Sequence, residues 1–161
     1  DRFPLLAPVR QSLAAFAYEP IYTCYVQYPP EVSMPQAMTG FDGGTIQWVF
    51  DRGRLNGTAG LLAAVFSARG GHQNVSQDVV ASAMHRELTS FLPGLPRPLW
   101  SRVIAEKRAT YSCRPGLARP GNQTAVGNLY LAGDYTACDY PATLETAVRS
   151  GVLAASLVRQ R

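Results

Sequence analysis

Charge is scarce in this sequence of 161 residues: Asp, Glu, Lys and Arg together make up 16% of it, against roughly 25% in an average soluble domain. A free-standing domain of this size is expected to carry more charge, so the shortage implies that part of its surface is normally covered. Lysine is all but missing, Lys107 standing alone. The 15 Lys and Arg exceed the 11 Asp and Glu by too little, a net +4, to imply nucleic acid. Histidine is limited to His72 and His85, and cysteine to Cys24, Cys113 and Cys138. Cysteines so few and so widely spaced suggest neither a disulfide framework nor a zinc site. No apolar run approaches the ~18–20 residues of a membrane-spanning helix. There is no G-x-G-x-x-G, Walker A loop, G-x-S-x-G or H-E-x-x-H, and both histidines lie far from any nucleophile-like Ser or Cys. A self-contained hydrolase or metalloenzyme therefore has no support, and no metal site is expected. The chain starts Asp1-Arg2-Phe3 without a signal peptide. Its sequons at Asn56, Asn74 and Asn122 accordingly read as accidental, and a cytoplasmic, reducing compartment is expected.

What is present suits a folded domain: 47% of residues are hydrophobic and the mean hydropathy is −0.06, enough for a core at this length. Helical spacing of Val9, Leu13 and Phe16 predicts a helix over Ala7–Tyr18, stopped by Glu19-Pro20. Alternation predicts a strand over Ile21–Tyr28, with Tyr22, Cys24, Val26 and Tyr28 on one side. Further strands are expected over Thr45–Asp51, with Ile46, Trp48 and Phe50 on one face, and over Leu61–Ser67. Short turns between them, at Asp42-Gly43-Gly44, Gly53 and Asn56-Gly57, predict an antiparallel meander. Asn74–Phe91 switches to a helical stripe of Val79, Val80, Ala83, Leu88 and Phe91, with Asn74 and Gln77 resembling a capping box. Trp100–Tyr111 alternates as a strand, and Arg114–Gly127 reads as a long loop. The fold class expected is α+β, a mixed and largely antiparallel sheet with covering helices.

The last forty residues differ in character. Asn128–Asp134 predicts a short buried strand closing on Gly133, where a missing side chain lets a ligand or backbone approach. Asp134 follows at its carboxyl end, where ligands of α/β sheets collect. Pro141–Gln160 predicts a helix with Thr143 as N-cap, which leaves the Leu144 and Glu145 N–H groups free to face an electron-rich acceptor. Its stripe of Leu144, Val148, Gly151, Ala155 and Val158 is expected to be buried. Ordinary strand–turn–helix packing, with Asp134 as a turn residue, suits these residues equally well.

The segment Asn128–Ser156 (NLYLAGDYTACDYPATLETAVRSGVLAAS) closely resembles the C-terminal FAD-binding segment of the flavin-containing amine oxidase and carotenoid desaturase superfamily. Within that superfamily the hydroxysqualene dehydroxylases are similar over most of the chain. The carrying motifs are Glu19-Pro20-Ile21, Trp48-Val49-Phe50-Asp51-Arg52, Glu106-Lys107-Arg108-Ala109-Thr110, Arg119-Pro120 and Asp139–Glu145. The resemblance implies FAD, with Gly133 and Asp134 by its ribityl-pyrophosphate portion and the Thr143–Leu144 backbone at the flavin pyrimidine edge. Arg149 and Ser150 match the helix pattern without needing to touch the cofactor. It further implies a substrate-binding lobe over residues 1–121 and the closing strand and helix of the FAD lobe over 122–161. The N-terminal Rossmann lobe is missing from this pattern, so the chain is expected to be the C-terminal part of a longer oxidoreductase. The implied substrate is a long isoprenoid, with hydroxysqualene reduced to squalene; desaturase or amine oxidase chemistry and a flavin-free interaction module are the competing readings. No catalytic acid is named by these motifs.

The remaining features allow bland and sharp readings. Tyr22, Trp48 and Phe50 suit either a core or the lining of an apolar substrate tunnel. Asp51-Arg52 reads as a surface pair at a strand end. Arg97, Arg102, Lys107, Arg108, Arg114 and Arg119 face only Glu106 and read as a solvated face, or as a peripheral dock for anionic lipid at the inner face of a membrane. Without its Rossmann partner the fragment is expected to pair with a second copy.

Overall fold

A computed structural model describes residues 3–67 and 70–160. Its helices are α1 (Ala7–Ala14), α2 (Arg52–Asn56), α3 (Gln77–Phe91) and α4 (Leu144–Arg159), and its strands are β1 (Tyr18–Gln27), β2 (Met38–Gly40), β3 (Trp48–Asp51), β4 (Leu61–Ser67) and β5 (Trp100–Tyr111). The strands form one sheet in the order β2-β3-β4-β1-β5. The class is α+β, as expected. β2, β3 and β4 make the predicted meander, but β1 inserts between β4 and β5, so the first strand of the chain lies inside the sheet.

Register explains the core. Tyr22 stands opposite Phe66 and Cys24 opposite Ala64, and Ala64 in turn stands opposite Val49. Directly opposed residues share a face, so these side chains form one continuous surface. α3 supplies Val80, Met84 and Leu88 to the same cluster. Each large aliphatic or aromatic side chain buried there contributes about 1.5–3 kcal/mol. The predicted alternation of Tyr22, Cys24, Val26 and Tyr28 is what β1 buries.

Several local expectations give way. α3 is capped by Ser76, whose hydroxyl accepts from Val79 N at 3.4 Å, rather than by Asn74. Val79 is exposed and Met84 buried, so its stripe sits one position round from the predicted one. Ile46 is buried ahead of β3, while Trp48 is exposed within it; the two do not share a face. The turn expected after Asp51 is a short helix, α2, closed by Gly57 in the left-handed region at φ 81°. Asp51 is its N-cap and only 1% exposed, not half of a surface pair. Its carboxylate accepts from Met34 N and Ser33 Oγ, both at 2.8 Å, and from Arg54 N at 3.1 Å. Burial pushes this carboxyl up, but the bonds from Met34, Ser33, Arg54 and Gly53 outweigh it and hold the group below the ordinary carboxylate range.

The chain divides into two compact units, one of Glu19–Ala109 and one of Asp1–Tyr18 with Thr110–Arg161. The boundary expected at 121/122 falls inside the second. Among the described residues no helix is long and apolar enough to cross a membrane.

Candidate functional site

The segment from Asn128 to Thr143 contains no regular element. The predicted strand over Asn128–Asp134 reduces to a single bridge between Gln123 and Tyr130 and a bond from Leu131 N to Asn122 O at 2.7 Å. A strand needs a ladder on at least one side, and the described residues provide one rung. Gly133 lies at φ +150°, and a Cβ there would stand 2.5 Å from the Tyr135 ring. Glycine is required at this turn by both backbone and space.

What holds the turn is polar. Ser150, on α4, places its Oγ 3.1 Å from Gly133 N, 2.8 Å from Asn122 Nδ2 and 2.7 Å from Thr136 Oγ1. Thr136 Oγ1 is also 2.9 Å from Gly133 O, and Asn122 Nδ2 donates to Leu131 O at 2.8 Å. Asn122, Thr136 and Ser150 are all buried. Asn122 is therefore a structural donor, not a surface sequon. Nothing in spacing or periodicity singles out these three residues, because a buried hydroxyl on a helix reads in sequence as merely small.

A second polar cluster anchors the stretch before α4. Arg119 donates from Nη1 to Tyr111 Oη and to Tyr140 O, both at 2.9 Å, and from Nη2 to Cys138 O. Burial pushes the Tyr111 phenol up, and the Arg119 guanidinium partly counters that. Arg119 thus faces inward and does not belong to the solvated basic stretch. A cavity of about 300 Å³ lies here, lined by Tyr111, Cys113, Arg119, Asp139 and Tyr140 among others.

The predicted cofactor residues fall in this unit with distinct capacities. Both polar groups of the Gly133 backbone are engaged, its N–H with Ser150 and its carbonyl with Thr136. The Asp134 carboxylate makes no hydrogen bond or ion pair among the described residues. Thr143 caps α4 as expected, its hydroxyl accepting from Thr146 N at 3.2 Å. Leu144 is 87% exposed, and the N–H groups of the first turn beyond Thr143 have no intrahelical acceptor. The Asp134 carboxylate can accept from ligand hydroxyls, and the α4 N-terminus can donate to an electron-rich ligand oxygen.

The three candidate lining residues separate. Tyr22 is core, stacked on Phe66 at 5.3 Å between ring centroids. Trp48 and Phe50 lie on the sheet's other face, Phe50 opposite Met38 and opposite Ala63, which stands opposite Tyr25. That face is apolar and open, with Met38, Trp48, Trp100 and Ile104 all well exposed. Beside it lies a hollow of about 470 Å³ bordered by Tyr25, Trp100, Ser101 and Arg102. The histidines serve packing: His85 Nδ1 is 2.9 Å from Tyr28 Oη, and His72 sits edge-on to Tyr22 and Phe66. Among the described residues no group of His, Cys, Asp and Glu could hold a metal ion.

Residues 2–159 match the family described as flavin containing amine oxidoreductase. The hydroxysqualene dehydroxylase of Rhodopseudomonas palustris is 34% identical over 145 residues, covering 88% of this chain and 32% of that protein. The hydroxysqualene dehydroxylase of Zymomonas mobilis is 31% identical, covering 87% of this chain and 33% of that protein. The zeta-carotene desaturase of Arabidopsis thaliana is 29% identical over 65% of this chain and 19% of its own length. A crystal structure of a protein from Exiguobacterium sp. 255-15 superposes with a TM-score of 0.67 at 13% identity, covering 94% of this chain and 37% of that one. The chain thus spans about a third of the length of the dehydroxylases it matches.

Proposed function

This chain belongs to the flavin containing amine oxidoreductase family, and we propose that it forms part of an FAD-dependent enzyme that reduces hydroxysqualene to squalene. The observation that carries the cofactor half is the uncommitted Asp134 carboxylate beyond the Gly133 turn, in the same unit as the open N-terminus of α4. Asp134 would accept hydrogen bonds from hydroxyls of the ribityl-pyrophosphate portion. The Thr143–Leu144 end of α4 would face the pyrimidine edge, where the helix dipole favours negative charge. When bound, reduced FAD supplies the hydride that replaces the allylic hydroxyl, which leaves as water after protonation. The protein's own part is to bind, orient and exclude water.

The open face of the sheet supports a long apolar substrate. Met38, Trp48, Phe50, Tyr25, Trp100 and Ile104 present aromatic and aliphatic surface to whatever lies against them. A patch of this kind on an otherwise folded unit marks a binding surface. The desaturases among its relatives keep a second reading in play, in which oxidised flavin removes hydride from the isoprenoid.

The test is direct. Full-length protein with reduced flavin, given hydroxysqualene, is expected to release squalene. A coloured conjugated product would move the protein to the desaturase branch, and turnover of amines alone to the amine oxidases. The cofactor assignment is tested by Asp134→Ala, which is expected to lower flavin content; equal flavin in variant and wild type would reject it.

A further inference from the structure

One oxygen, Ser150 Oγ, gathers the polar groups around Gly133 into a knot. It accepts from Gly133 N at 3.1 Å and from Thr136 Oγ1 at 2.7 Å, and lies 2.8 Å from Asn122 Nδ2. An amide nitrogen can only donate, and Asn122 Nδ2 also reaches the Ser150 carbonyl at 3.0 Å and Leu131 O at 2.8 Å. Asn122 is thus bonded at once to α4 and to the segment just before Gly133. The Thr136 hydroxyl, 2.9 Å from Gly133 O, lies between Ser150 and the Gly133 carbonyl.

We propose that Ser150 is a positioning residue: through these bonds it fastens the Gly133–Asp134 turn to α4 and sets the Asp134 carboxylate at a fixed place relative to the helix that also bears Leu144. The inference rests on the reading of Asp134 and the α4 N-terminus as cofactor-binding, and adds the residue that registers one against the other. Three features carry it. The three side chains that meet there, Asn122, Thr136 and Ser150, are all buried. The turn's own backbone bond, from Thr136 N to Gly133 O at 3.2 Å, engages the carbonyl only and leaves the Gly133 N–H to Ser150. The segment has no ladder beyond one bridge, so nothing regular substitutes for the knot.

Two variants test this: Ser150→Ala, and the near-isosteric Thr136→Val, which removes the hydroxyl that donates to Ser150 without opening a cavity. In flavin-free protein the Gly133 amide is expected to exchange slowly in wild type and much faster in either variant. Equal exchange in wild type and both variants overturns the knot, whatever becomes of the flavin reading. In the full-length protein each variant is expected to weaken FAD retention on the order of tenfold, the scale of one lost buried hydrogen bond. A double-mutant cycle then separates positioning from general stability. If Ser150 acts through Asp134, Ser150→Ala added to Asp134→Ala costs little further retention. Full additivity overturns the positioning role. Wild type that never carries flavin overturns the functional reading, and with it the cofactor half of this proposal, while the exchange data still judge the knot.

Discussion

A carboxylate with almost no exposure, as at Asp51, is tolerable only because four donors converge on it. Its two oxygens tie the start of α2 to Ser33 and Met34. Asp51→Ala would leave the Met34 N–H without a partner in a buried place, so we expect a loss of about 1–3 kcal/mol of folding free energy. The pH dependence has a definite sign. The folded carboxyl lies below its unfolded value of about 3.9, so its contribution is complete above that value and is lost as pH falls through the folded one. Denaturant unfolding from neutral pH into acid is expected to show a steeper fall for wild type than for Asp51→Asn; parallel profiles would contradict the assignment. Cysteine reactivity is set at this scale too. Burial pushes the Cys24 thiol up to about 11, whereas Cys113 is exposed. A thiol reagent at mildly alkaline pH is expected to label Cys113 and leave Cys24 intact until the protein unfolds, which mass mapping of the adducts would check.

Among the elements, β4 and β5 lie where their sequence patterns place them, β4 on a nearly continuous apolar run and β5 on an alternating one. α4 is the informative failure. Its predicted apolar stripe is not buried: Leu144, Val148 and Val158 are 87%, 62% and 56% exposed, and the buried positions are Thr146, Ser150 and Ala154. Hydrophobic periodicity finds a core-facing stripe only where the neighbour is a core. Here the neighbour is an irregular segment with free carbonyls and N–H groups, and hydroxyls satisfy those better than methyls can. Thr146 Oγ1 reaches Pro141 O at 2.6 Å, and Ser150 reaches Gly133. The candidate cofactor residues Gly133, Asp134, Thr143 and Leu144 were legible through their resemblance to a family segment. Their supports Asn122, Thr136 and Arg119 were not, since each acts through contacts distant in sequence. The helix also carries a prediction of its own: Thr143→Ala removes the cap on Thr146 N and is expected to cost about 1 kcal/mol. Val148→Ser on the exposed side should be near neutral in the isolated chain. Thermal melts of the two variants would distinguish them, and the reverse order would mean that α4 is packed the other way round.

For the molecule as a whole, the exposed side of α4 is the strongest clue to what else it meets. Leu144, Val148, Val152 and Val158 make an apolar strip on a chain that spans about a third of its dehydroxylase relatives. Each such side chain gains about 1.5–3 kcal/mol on full burial, and the low charge content offers little to keep the strip in water. These 161 residues prepared alone are therefore expected to self-associate, most simply about a two-fold axis that sets the strip of one copy against that of another. They are also expected to hold FAD poorly. One carboxylate and one helix end are too little to offset the cost of immobilising so large a ligand. Light scattering across the micromolar range, with and without FAD, reads both. Val148→Glu with Val152→Glu should return the chain to a monomer without lowering its melting temperature, because neither side chain is buried within its own unit. Wild type that stays monomeric throughout would mean that the strip needs no cover, and stoichiometric flavin on the isolated chain would mean that the cofactor's main contacts lie within these residues.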